Sequence, residues 1–240
     1  MRPFSTRSDL CRSARPVPSP LLRLCAFVVF AALTWFAGAN TDFDRMQRLA
    51  SERFGNQAGD MVGAWRRLID ESRDIPETDQ LTRVNHFFNR SIQFDDDIVV
   101  WQQQDYWASP LETLGRQAGD CEDFAIAKYV TLRLLGIPKE RLRLIYVRAR
   151  IGGADSPVSQ AHMVLGYFAT PTDEPLVLDN LIGDIRPAAR RPDLFPVFSF
   201  NSEGLWVGGA AESSADPTAR LSRWRDVLAR MRSEGLELTQ

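Results

Sequence analysis

At Gly136-Ile137-Pro138 the chain changes period, and that change limits the folds open to it. Upstream, apolar residues recur every three or four positions: Phe43, Met46, Leu49, Ala50 and Phe54, then Met61, Ala64, Trp65, Leu68 and Ile69. A third set, Leu81, Val84, Phe87 and Phe88, follows from a start near Thr78. This spacing lays an apolar stripe along a helix. Downstream, short apolar stretches are bounded by Gly and Pro: Leu142–Arg148, Ala161–Phe168, Leu176–Leu181, and a pair around Phe198–Phe200 and Leu205–Val207. These read as strands. From Asp216 a last amphipathic helix carries Leu221, Trp224, Val227, Leu228 and Met231 on one side. Helices first and strands afterwards predict an α+β fold, with N-terminal helices packed against a mostly antiparallel sheet. With no internal repeat or low-complexity block, residues 40–240 are expected to form a single domain.

The helix that ends at this boundary begins at Gly119-Asp120-Cys121-Glu122-Asp123. Asp120 is a suitable N-cap, Ala125, Ile126, Tyr129, Val130, Leu132 and Leu135 supply apolar positions, and Gly136 with Pro138 closes it. A shorter helix is expected from Ser109-Pro110-Leu111-Glu112, which has capping-box spacing with Pro at the first helical position. Before it lies an irregular aromatic stretch from Ile98 to Trp107. A thiol at a helix N-terminus gains thiolate character from the unpaired N–H groups and the dipole. The carboxylates flanking Cys121 oppose that, so a nucleophilic Cys121 calls for a neutralising charge, and a hard cation suits carboxylate oxygens.

Residues 1–39 carry Arg2, Arg7, Arg12, Arg15 and Arg23, then an apolar run from Leu24 to Phe36 and Ala37-Gly38-Ala39. A basic region, a short apolar run and an A-x-A site predict a signal peptide cleaved after Ala39, with an uncleaved anchor as the alternative. The run falls short of the roughly 20 residues a spanning helix needs. Export would leave Cys121 as the only cysteine, a leftover thiol that reads as reactive or intermolecular. A small buried hydrophobe is the usual role of a lone cysteine, but Asp120, Glu122 and Asp123 do not belong in an apolar core. Without the leader's five arginines and one aspartate the formal charge moves from −2 to about −6. That balance argues against a nucleic-acid partner and offers no basic stripe for a membrane surface.

A cysteine hydrolase or acyl transferase needs a thiolate, an imidazole and a group to orient that imidazole. His162 falls within the strand Ala161-His162-Met163-Val164-Leu165, and Asp179 closes Leu176-Val177-Leu178-Asp179. An antiparallel pairing of these strands would bring the carboxylate to the imidazole. His86, in the helical run Asn85-His86-Phe87-Phe88, is the competing imidazole, for which packing or exposure is the simpler role. Spacing alone leaves the three residues a weak constellation.

Taken together, Gly119-Asp120-Cys121-Glu122-Asp123-Phe124-Ala125-Ile126-Ala127-Lys128-Tyr129, Ala161-His162-Met163-Val164-Leu165 and Leu176-Val177-Leu178-Asp179-Asn180-Leu181 closely resemble the bacterial transglutaminase-like cysteine proteinases. Asp105-Tyr106-Trp107-Ala108-Ser109-Pro110 and Phe198-Ser199-Phe200-Asn201 are similar to that family too, so the resemblance runs from about Val84 to Val207. It implies a papain- or transglutaminase-like fold with Cys121 as nucleophile, His162 as base and Asp179 as orienter. It further implies calcium dependence, with ligands among Asp120, Glu122 and Asp123. The narrower likeness is to the periplasmic members that cut a large surface adhesin near a paired-alanine site and so promote biofilm dispersal. Those members are inhibited by the periplasmic domain of an inner-membrane receptor for cyclic di-GMP. The oxyanion would meet the Cys121 N–H and a second donor, for which Trp101 and Trp107 are candidates, with a wall role as the alternative. Trp101-Gln102-Gln103-Gln104 departs from the family, where a smaller, Gly-containing link is expected. Two other functions stay open: amide transfer to an amine, and a non-catalytic calcium-stabilised module that binds a membrane receptor.

Overall fold

The computed structural model describes residues 41–153, 156–208 and 213–238, and the leader assigned to 1–39 lies outside them. Asp42 caps helix α1 (Phe43–Phe54) by accepting the Arg45 N–H at 2.9 Å. The chain turns at Gly55, whose φ of 96° suits a residue without Cβ, into α2 (Asn56–Ser72). Helix α3 (Glu77–Ser91) follows. The apolar stripes read from sequence point inward: Met46, Ala50, Trp65, Ile69, Leu81, Val84 and Phe88 are buried. Each fully buried Leu, Ile, Val, Phe or Met contributes about 1.5–3 kcal/mol. Trp65 also donates its indole N–H to Thr131 Oγ1 at 2.8 Å, so its polar atom is satisfied inside the core.

Two short strands, β1 (Gln93–Phe94) and β2 (Ala118–Gly119), pair in parallel with Phe94 opposite Gly119. Between them lie α4 (Asp97–Val100), which overlaps the start of the stretch expected to be irregular, and α5 (Pro110–Arg116). The capping box of α5 forms as read: Ser109 Oγ accepts the Glu112 N–H, and Glu112 Oε2 accepts the Ser109 N–H. Glu112 is buried, and Arg53 at 3.0 Å and Arg230 at 3.1 Å balance its charge. Helix α6 (Cys121–Leu134) is buried along most of its length and lies between α3 and the main sheet.

The sheet comprises β3 (Leu142–Arg150), β4 (Ser159–Tyr167), β5 (Leu176–Leu178), β6 (Arg186–Pro187), β7 (Leu194–Phe200) and β8 (Leu205–Val207). Its order is β6-β5-β4-β3-β7-β8, with every pairing antiparallel. One face joins the helices in the main core through Leu144, Met163, Leu165, Leu178 and Phe200. The other face carries a second cluster of Val147, Ala149, Val164 and Val177, against which Ala188 and Leu194 pack. The segment between β6 and β7 therefore acts as a flap over the back of the sheet. The expected single terminal helix is two: α7 (Pro217–Arg220) and α8 (Ser222–Glu234), broken at Leu221, whose backbone is extended. Asp216 caps α7 by accepting the Thr218 N–H at 2.8 Å, and α8 buries Trp224, Val227 and Met231.

Candidate active site

Cys121 is the first residue of α6, with Asp120 as its N-cap accepting the Glu122 N–H at 3.2 Å. Its thiol sits against β4, where the Met163 N–H bonds it, one residue from His162. The thiol proton points elsewhere: it is donated to Glu122 Oε2 at 2.7 Å. Burial, the charges of Glu122 and Asp120 and this hydrogen bond all push the thiol well above its ordinary range, and only the Met163 N–H opposes them. The helix terminus is therefore overruled by its neighbours.

His162 and Asp179 meet as their strands suggested. β4 and β5 pair with Leu165 opposite Leu178, and His162 Nε2 lies 2.8 Å from Asp179 Oδ1, both residues buried. The turn after β5 is fixed from α3: Asn89 donates to the Asp179 carbonyl at 2.8 Å and Asn85 to the Gly183 carbonyl at 2.8 Å. Burial would raise the Asp179 carboxyl, but the His162 hydrogen bond and charge, the Leu181 N–H and Arg191 outweigh it and bring it down to about 2. Arg191 was not singled out in the sequence; its Nη2 lies 2.7 Å from Asp179 Oδ2. Lys128, two turns along α6 from Cys121, is also buried. Burial lowers its ammonium to about 7 against the pull of Asp179.

The acidic residues expected to hold a cation fall into two overlapping groups that share Asp120. Asp120 and Glu122 converge with the Cys121 sulfur; Asp120 and Asp123 converge with Asp97, a residue the sequence did not flag. Asp97 is buried and accepts the Tyr106 N–H through Oδ2, while its Oδ1 has no partner. Asp123 is buried and accepts the Ala108 N–H at 2.7 Å, while its Oδ2 has no partner. Two orphaned carboxylate oxygens beside a third carboxylate are costly when left bare, and their hard-oxygen character fits a hard divalent cation. Burial and mutual repulsion raise Asp120 and Asp123. Asp97 is raised by burial, with Glu122 and Asp105 adding to it, to about 6.

This cluster has a consequence for stability. Unfolded, an aspartate titrates near about 4, so between about 4 and 6 the cation-free folded state binds more protons than the unfolded state. Stability in EGTA should then fall as pH rises through 6. Asp179 acts in the opposite sense, but only between about 2 and 4. Thermal melting in EGTA is expected at a higher temperature at pH 5 than at pH 7.5. An equal or higher melting temperature at pH 7.5 would show that the cluster carries no such burden.

Gly119 completes the cradle. A Cβ on it would lie 2.4 Å from Asp123 Oδ2 and 2.8 Å from Asp123 Cβ. Gly119→Ala is expected to displace Asp123, cost about 1–3 kcal/mol by overpacking, and weaken, in a calorimetric titration, the calcium binding that the family resemblance implies. Unchanged stability and affinity would mean that Asp123 has room to move.

Among the other residues considered, His86 is on the exposed side of α3, away from the buried His162–Asp179 couple. Trp107 is buried, stacks on Phe200 at 5.6 Å and gives its indole N–H to Asp105 at 3.1 Å, which makes it a wall residue. The Trp101 indole N–H is buried without a partner, beside Tyr106 at 4.8 Å between ring centroids. In the unusual link after it, Gln102 and Asp105 hold φ of 56° and 58°, the left-handed region in which glycine is at ease. The departure in residue type is thus accommodated by backbone strain of about 1–3 kcal/mol per residue.

A thiol at a helix start, a strand imidazole one residue from its contact and a buried carboxylate on that imidazole define the class of a papain-like cysteine hydrolase. Residues 67–207 match the family described as bacterial transglutaminase-like cysteine proteinase, and the chain belongs to that family. Among solved structures it is similar to LapG of Legionella pneumophila. The EGTA-treated form of LapG is 40% identical with a TM-score of 0.68, over 79% of this chain and 97% of that one. The calcium-bound form is 40% identical with a TM-score of 0.67, over 79% and 98%. No curated protein matches.

Proposed function

We propose that this chain is a calcium-dependent periplasmic endopeptidase that cuts the N-terminal region of a large surface adhesin near a paired-alanine site, releasing the adhesin and promoting biofilm dispersal. The observation that carries this reading is the 2.8 Å His162–Asp179 couple next to the strand position that contacts Cys121, in a chain 40% identical to LapG over nearly all of that protein. The Cys121 thiolate attacks the scissile carbonyl carbon, and the Cys121 N–H receives the developing oxyanion. His162, held by Asp179 through Nε2, carries a proton to the leaving amine. Water then hydrolyses the thioester, with His162 as base. Asp97, Asp120, Glu122 and Asp123 would hold calcium, whose charge offsets their repulsion of the thiolate. The inhibitory partner is the periplasmic domain of an inner-membrane cyclic di-GMP receptor.

The test is incubation with an adhesin N-terminal fragment carrying paired alanines, in calcium, with and without a primary amine. Hydrolysis at one site supports the protease. A product bearing the amine would instead assign amide transfer, and no reaction by folded protein would leave a binding module.

A further inference from the structure

Asp179 carries more than the imidazole, and the second group on it comes from the flap over the back of the sheet. A carboxylate at a strand end can turn about its side-chain bonds, and each turn that moves Oδ1 off His162 loses the couple. Three donors prevent this: His162 Nε2 at 2.8 Å and the Leu181 N–H at 3.0 Å on Oδ1, and Arg191 Nη2 at 2.7 Å on Oδ2. Arg191 is itself only 3% exposed. Asp193 clamps it from the solvent side, accepting from Nε at 3.0 Å and from Nη2 at 2.8 Å. We infer that Arg191 is a positioning residue for the proposed hydrolysis, its guanidinium fixing Asp179 Oδ2 so that Oδ1 stays on His162.

A structural salt bridge closing the flap is the competing explanation. The two differ in what they ask of the imidazole. Removing one partner of a buried ion pair that only closes a flap costs stability, and the imidazole has no reason to respond. A positioning arginine, once removed, frees Asp179 to rotate, and the His162 imidazolium loses its carboxylate. The groups that bear on that titration are few. Asp179 faces His162, the Cys121 thiol at the start of α6 lies against the next residue of β4, Arg191 and Lys128 face Asp179 from the flap and from α6, and Asp193 faces Arg191.

The inference rests on the protease reading, so its test includes a measurement that needs no substrate. The chain contains only two histidines; their imidazole NMR signals can be followed against pH in the full chain with calcium, for the parent, Arg191→Met, Arg191→Lys and Asp193→Asn. Arg191→Met is expected to lower the His162 midpoint by about one pH unit while exposed His86 stays put. Arg191→Lys should restore part of the shift, and Asp193→Asn should move it less, in the same direction. With a cleavable fragment, Arg191→Met should lower kcat about tenfold and leave KM unchanged. An unmoved His162 midpoint would overturn the inference. So would an upward one, which is what a positive charge acting only at a distance would give on removal. If Arg191→Met does not fold, the Asp193→Asn titration decides by the same criteria. A chain that cleaves nothing but shows the downward shift would sink the protease reading and leave the positioning geometry standing.

Discussion

Cys121→Ala is expected to abolish cleavage of a paired-alanine fragment, lowering kcat/KM by about 10,000-fold or more, with the melting temperature unchanged or slightly higher. The first half follows from chemistry, since Cys121, at the start of α6 beside the His162 strand, is the only thiol among the described residues. The second half follows from the surroundings of the sulfur. Its hydrogen bond goes to Glu122 at the rim of an acidic cluster, and the apolar contacts that hold α6 come from Phe124, Ile126, Val130 and Leu132, deeper along the helix. Alanine is the best helix former and leaves these contacts in place. Kinetics with the purified variant, together with its melting curve, check both halves. Residual cleavage within tenfold of the parent would remove Cys121 from the nucleophile's role.

Calcium removal is expected to have the next largest effect. In EGTA the thiol is held up by burial, Glu122 and Asp120, and each pH unit by which its pKa exceeds the ambient pH costs tenfold in thiolate. Cleavage at pH 7 should therefore drop by about 100-fold or more and return when calcium is restored. Asp120→Asn separates the two consequences of the cluster. Asp120 belongs to both acidic groups, so the amide should weaken calcium binding and lower activity in calcium. In EGTA the same change replaces a carboxyl that burial and its acidic neighbours force to take up a proton on folding, and the variant should melt at a higher temperature than the parent. If Asp120→Asn destabilises the protein equally in EGTA and in calcium, its carboxylate is structural.

How much of this was legible in the sequence depends on the range over which each feature is decided. The α6 boundaries are local: Asp120, Gly136 and Pro138 mark them, and the helix runs from Cys121 to Leu134. The β4–β5 hairpin, too, followed from two neighbouring strands, and it brought His162 to Asp179. Asp97 was hidden because its approach to Asp120 is made by tertiary pairing. β1 lies alongside β2, Phe94 opposite Gly119, and so carries the 95–97 turn to the start of α6. Nothing in Asp95-Asp96-Asp97 distinguishes the buried carboxylate from its half-buried and exposed neighbours. Arg191 was hidden for a similar reason: Arg190-Arg191-Pro192-Asp193 reads as a solvated turn, and only the flap's packing on the second cluster buries one of its two guanidinium groups. The break at Leu221 was missed because the terminal apolar stripe continues through it, while Asp216 and Pro217 define a separate first turn.

The most direct test of a thiol silenced by acids and released by a cation is the alkylation rate of Cys121 by iodoacetamide across pH, read on the Cys121 peptide by mass spectrometry, with calcium and with EGTA. Fast alkylation at pH 6 to 7 in calcium, falling about 100-fold in EGTA, is the expected result. Identical pH profiles in the two conditions, or slow alkylation at neutral pH with calcium bound, would contradict it.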